Sequence, residues 1–189
     1  MRKLIPVLMT SLVVAVLSAC ASGPRIRTDQ DPSASFSMYR TYNFASELGT
    51  DRAGYSTLVT ADFKRAVSRE METRGYRLAD NPDLLVNFFT SVRDATSVQS
   101  TPTIVGVDYY RYRNGLYVAW PLYGNDVSTT RYRIGTASID IVDAARKQLV
   151  WEGTAEGRLS SRVEKDPGPA IDKVVAEIFE RYPARAGSN

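Results

Sequence analysis

The chain reads as an α+β fold: a two-layer sandwich, mainly antiparallel sheet, with two amphipathic helices packed on one face. Three observations carry this. Strand-like alternation runs through residues 84–92, 131–142 and 149–159. Apolar residues at helical spacing mark residues 56–74 and a second stretch ending near Tyr182. Turn residues separate these segments in the order strands, helix, several strands, helix.

The first strand is expected at 26–31 and the second at 41–44, followed by a glycine-containing loop at 47–54. In residues 56–74, Val59, Phe63, Ala66, Val67 and Met71 share one helical face. Ser56 or Thr57 can cap the start, and Gly75 suits a left-handed stop. Residues 76–78 begin the return strand, and Asn81-Pro82-Asp83 signals a turn.

Leu84, Val86, Phe88 and Val92 then alternate with Leu85, Asn87, Phe89 and Ser91. Pairing is expected to lapse over the polar residues 97–103, which include Pro102. Residues 105–120 resume as strand with an Asn114-Gly115 hairpin signal, and residues 121–126 are expected to be a loop. Ala137, Ile139 and Ile141 should face inward, a turn should occupy 143–147, and Leu149 and Trp151 should face the core on the return. Asp166 is expected to cap the last helix, with Pro167 in its first turn. Ile171, Val174, Val175, Ile178, Phe179 and Tyr182 form its apolar stripe, and Pro183 ends it.

Ahead of this domain lies a different kind of segment. Arg2-Lys3 precedes an apolar run over residues 4–17, then Leu17-Ser18-Ala19-Cys20. A basic start, a short apolar stretch and small residues before a cut are the layout of a secretory signal peptide. The run is shorter than the roughly 20 residues of a membrane span. The last four residues match a bacterial lipobox, with cleavage between Ala19 and Cys20 and lipidation of Cys20. The alternatives are an uncleaved anchor helix and simple cleavage leaving a free thiol. The expected organisation is leader 1–19, lipidated tether 20–25, one domain over 26–184 and a frayed tail 185–189. Ala21 after the cysteine is compatible with the outer membrane, so the expected location is the bacterial envelope, with the domain in the periplasm.

Composition excludes several functions. The 189 residues carry a formal charge of +3, which falls to +1 without Arg2 and Lys3. That balance gives no argument for nucleic acid. No histidine is present, which removes Ser-His-Asp and Cys-His catalysis and histidine metal ligands. Cys20 is the only cysteine, so no intrachain disulfide and no ordinary zinc site can form. No phosphate-binding glycine loop occurs. No cofactor, metal or catalytic residue is expected.

Two groups remain as candidate sites. Tyr109, Tyr110, Arg111, Tyr112, Tyr117 and Trp120 crowd one predicted hairpin. Aromatic faces stack on sugars, and arginine donates to carboxylates and phosphates, so an envelope protein or a cell-wall glycan is a chemically suited partner. The plainer reading places alternate aromatics in the core. Asp140, Asp143, Glu152 and Glu156 cluster around another predicted hairpin. Facing carboxylates can act as acid and base on glycans, although acids also mark solvent faces.

The runs Tyr132–Asp143 and Leu149–Ala155 resemble the bacterial lipoprotein family known as domain of unknown function 4136. The 36–42 run Phe-Ser-Met-Tyr-Arg-Thr-Tyr, the Gly75-Tyr76 step, the turn into Leu84 and the closing Tyr182-Pro183 resemble it too, and the likeness spans nearly the whole mature chain. Its middle departs: many members have a Gly- and Tyr-rich loop where this chain has Tyr and Arg. The resemblance implies a lipid-anchored α+β domain and supplies no catalytic residue. The function expected is a non-catalytic interaction module held to a membrane by its N-terminal lipid; the alternative is a glycan-binding or carboxylate-dependent glycan-processing protein.

Overall fold

A computed structural model describes residues 23–52, 56–112 and 115–187, with side chains outside residues 106–122. The strands are β1 (Arg25–Gln30), β2 (Thr41–Phe44), β3 (Arg77–Leu78), β4 (Leu84–Tyr112), β5 (Gly115–Asp143) and β6 (Gln148–Arg158). They form one sheet in the order β1-β6-β5-β4-β2-β3. The helices are α1 (Leu58–Thr73), a short α2 (Ser161–Lys165) and α3 (Gly168–Phe179). The fold is thus α+β, with a mixed sheet.

Mixing follows from the connections. β4, β5 and β6 follow one another closely in sequence and pair antiparallel, as does β1 with β6. β2 instead runs parallel to β4, and α1 supplies the crossover that parallel neighbours require. Thr57 caps α1 by accepting the Thr60 N–H at 3.1 Å. Gly75 follows its end at φ +88°, a backbone state that a Cβ would strain.

The core lies between the helices and one sheet face. Phe63 of α1 stacks on Phe88 of β4 at 5.0 Å between centroids. Trp151 of β6 meets Phe179 and Tyr182 at 5.8 and 5.1 Å. All of these rings are buried. Such aromatic pairs add about 0.5–1.5 kcal/mol beyond area burial. Gly153 lets Ile178 and Trp151 close over β6, because a Cβ there would overlap both.

Four expectations change. Pairing does not lapse over 97–103, and 121–126 is not a loop: Ser97 pairs with Thr130, Pro102 with Asn125 and Tyr123 with Ile104. A two-stranded ribbon leaves alternate N–H groups facing water, so it tolerates a proline that lacks one. Gly124 meanwhile provides the space that Val105 fills. Leu149 does not face the core; it is 45% exposed. The register shift between Ile141 and Val142 turns it outward, while Val150 and Trp151 are both buried. Asp166 does not cap the last helix. Ser160 caps the extra helix α2, Asp166 closes it, and Pro167 stands at the start of α3.

Gly153→Ala is expected to cost about 1–3 kcal/mol through overpacking against Trp151 and Ile178. A lower urea midpoint with an unchanged slope would register that loss.

Candidate functional site

Three places could carry function: the outer part of the β4–β5 hairpin, the carboxylates of β5 and β6, and a groove beside the helices.

β6 accompanies β5 only as far as Ile134, which pairs with Arg158. Past that point β4 and β5 continue alone to the Tyr112–Gly115 pair. At roughly 3.3 Å per residue, the ribbon from Asp94 to Tyr112 extends on the order of 60 Å. Its described side chains are sorted by the pleat. Val98, Ile104, Val127 and Tyr123 occupy one face, because Val98 pairs with Thr129, Ser100 with Val127 and Ile104 with Tyr123. These four are 59–69% exposed. The opposite face carries Ser97, Gln99, Thr101 and Thr103, paired with Thr130, Ser128, Asp126 and Gly124. The described part of this ribbon therefore lies outside the core. A lone two-stranded ribbon is marginally stable in water. Among the described residues, both of its outer edges lack a strand neighbour.

The six aromatic and arginine candidates fall at the far end. Backbone register sets Tyr109 opposite Val118, Tyr110 opposite Tyr117, Arg111 opposite Leu116, Tyr112 opposite Gly115, and Asp108 opposite Trp120. Their side chains lie outside the described residues, as do Ala19 and Cys20 entirely.

The four acids do not act together. Asp143 is buried beneath the Tyr39 hydroxyl, which donates to it at 2.9 Å, and the Arg146 Nε, also at 2.9 Å. Burial alone would raise its carboxyl, but the Arg146 backbone N–H, the guanidinium and the Tyr39 hydroxyl hold it below its ordinary range. Glu156 faces Arg93 at 3.3 Å. Asp140 and Glu152 are cross-strand partners on the sheet face away from the core. Burial, then the Glu152 charge, pushes the Asp140 carboxyl up. Among the described residues, no group of three or more His, Cys, Asp or Glu could hold a metal ion. No described helix is long and apolar enough to cross a membrane.

The groove was not legible in the sequence. It encloses about 1070 Å³ between the sheet and the helices. Val59 and Phe63 of α1 form one wall, Ile171 and Val174 of α3 another, and Leu159 and Val163 close an end. Thr90, Val92, Ala137 and Ala155 form the floor. Arg133 of β5 pairs with Glu164 of α2 at its rim. The helical spacing of Val59 and Val174 announces an inward face. Both are only half buried because that face borders the groove. Gly23 and Pro24, the first described residues, also line it.

A family model described as "Domain of unknown function (DUF4136)" matches residues 26–184. No curated protein matches the chain. Among solved structures, PelC dodecamers from Paraburkholderia phytofirmans are similar. A point variant has 13% identity, with 86% of this chain and 98% of that chain covered and a TM-score of 0.47. A second PelC crystal form has 11% identity, 86% and 99% coverage, and a TM-score of 0.47. A PDZ domain protein from Parabacteroides distasonis has 13% identity and a TM-score of 0.46; the match covers 92% of this chain and 40% of that one. Likeness at this level carries no argument about function.

Two carboxylates give opposite acid signatures. Asp143→Ala leaves the Tyr39 hydroxyl without its acceptor and should cost about 1–3 kcal/mol at neutral pH. Because the folded Asp143 pKa is lowered, its contribution is present above the unfolded value near 3.9 and lost as pH falls through the folded value. Denaturation across that window should therefore be flatter in the variant. Asp140 has the reverse sign: its raised folded pKa lowers stability as pH rises above about 3.9. Asp140→Asn should raise the urea midpoint at pH 7 and lose that advantage in acid.

Proposed function

For a chain that belongs to the DUF4136 family, we propose a lipid-anchored, non-catalytic envelope protein whose β4–β5 ribbon captures a partner in the periplasm. The projecting ribbon, with its exposed apolar row, carries this reading. Open strand edges supply backbone donors and acceptors that another chain can pair with, and the apolar row adds side-chain burial. The partner is therefore another envelope protein.

Anchoring rests on the lipobox. Its expected product is a thioether between the Cys20 sulfur and a diacylglyceryl group, with the leader removed after Ala19. Each buried CH₂ contributes about 0.8 kcal/mol, so several acyl chains hold firmly where one would not. The short tether keeps the domain near its bilayer, while the ribbon reaches away from the sheet.

The non-catalytic reading is supported by the dispersal of the acids. Asp143 is engaged with Tyr39 and Arg146, Glu156 with Arg93, and the Asp140–Glu152 pair lies across the sheet from the groove. A second reading, glycan capture, is favoured by the Tyr110–Tyr117 pairing at the ribbon end, where two aromatic rings would be available to stack on sugars.

Capture from envelope extract tests the proposal, using detergent-solubilised full chain as bait. Wild type should retain a protein partner, and Tyr117→Ala with Trp120→Ala should release most of it without changing the urea midpoint. Retention of cell-wall fragments alone would favour the glycan reading. Capture undiminished by the tip substitutions and by Val98→Asp would remove the ribbon from consideration.

A further inference from the structure

The groove lies at the point where the described chain begins. Pro24 packs against Gly157 at the end of β6, and Gly23 borders the opening. Only three peptide steps separate Gly23 from Cys20, a reach of about 11 Å. A group attached to the Cys20 sulfur therefore starts within reach of the groove mouth.

The lining is mostly apolar and suits a hydrocarbon ligand. Val59, Phe63, Val92, Val163, Ile171 and Val174 contribute hydrocarbon from both helix walls, the floor and α2. Ala137 and Ala155 keep the floor shallow in side chain, which leaves depth above the sheet. The rim charges are engaged: Arg133 with Glu164, Lys173 with Glu177 at 3.7 Å, and Arg158 over the Tyr132 ring at 3.8 Å. A polypeptide buried there would need partners for every N–H and C=O, and an unpaired buried amide is costly. A hydrocarbon chain makes no such demand. The volume is at the upper end of small-molecule pockets, which run to about 1,000 Å³.

We infer that the groove holds an acyl chain of the protein's own lipidated Cys20. The inference rests on the anchoring reading above and adds an intramolecular site for that lipid. The groove-bound form shields one chain from water when the protein is away from a bilayer. The released form places it in the membrane. α2 closes the groove end through Arg133–Glu164, so loosening that pair opens the path between the two.

The test feeds a diazirine-bearing palmitate to cells producing the full chain, then irradiates the detergent-purified protein and maps crosslinked peptides by mass spectrometry. The expected result is label on Cys20 with intramolecular crosslinks to the segments carrying Val163 and Val174. Val174→Trp, which fills the groove, and Val163→Glu, on the exposed short helix, should each reduce those crosslinks several-fold. Either variant suffices if the other fails to fold. Label on Cys20 without groove crosslinks would overturn the inference and leave anchoring intact. Absence of label on Cys20 would overturn both. A Cys20→Ala chain that crosslinks free diazirine palmitate in the groove, when the wild-type chain's own lipid does not, would assign the groove to a foreign lipid and overturn it as well.

Discussion

One antiparallel register governs this molecule, running from Leu84 opposite Asp143 to Tyr112 opposite Gly115. Because side chains alternate with period two, the parity that turns Leu84, Val86 and Phe88 toward the helices also sets which face Val98 and Ile104 share. A slip by one residue would expel the β4 core side chains and invert the ribbon together. The core therefore pins the ribbon. Phe88 under Phe63, with Ile139 and Ile141 buried beside it, makes every other pairing in this sheet segment expensive. Between β4 and β5, register shifts occur only beyond Ile104, well past the helices.

Unequal lengths of sheet and helix generate the rest. The strands outrun the layer that covers them, since α1 and α3 each span far less than β4 or β5. Where cover stops, the sheet face remains apolar for a few residues, and the helix walls remain apolar too. The groove is that overlap, closed at one end by α2. Farther out no described residue covers the pleat, and the apolar row becomes surface. The groove and the ribbon are thus consecutive consequences of one mismatch.

Alternation also separates the acids. Asp143 ends β5 on the core side, where Tyr39 and Arg146 compensate it. Asp140, three residues earlier, falls on the opposite face beside Glu152. The sheet thus divides Asp143 from Asp140, while Asp140 and Glu152 stay together on the outer face, across the sheet from the groove.

By itself the sequence determined what depends on local chemistry. Apolar spacing specified α1 and α3, Gly75 marked a left-handed stop, and the Val86–Phe88 and Ile139–Ile141 alternation identified the sheet's inner face. The proposed leader, by contrast, rests on residues 2–20 of the sequence alone. Tertiary structure alone decided what depends on neighbours. Residues 97–103 and 121–126 look like breaks, and only their mutual pairing makes them strand. Leu149 turns outward because β5 shifts register beside it. The groove is assembled from segments more than a hundred residues apart. No short window of sequence contains such a surface, since its shape is set by how far each element extends over the next.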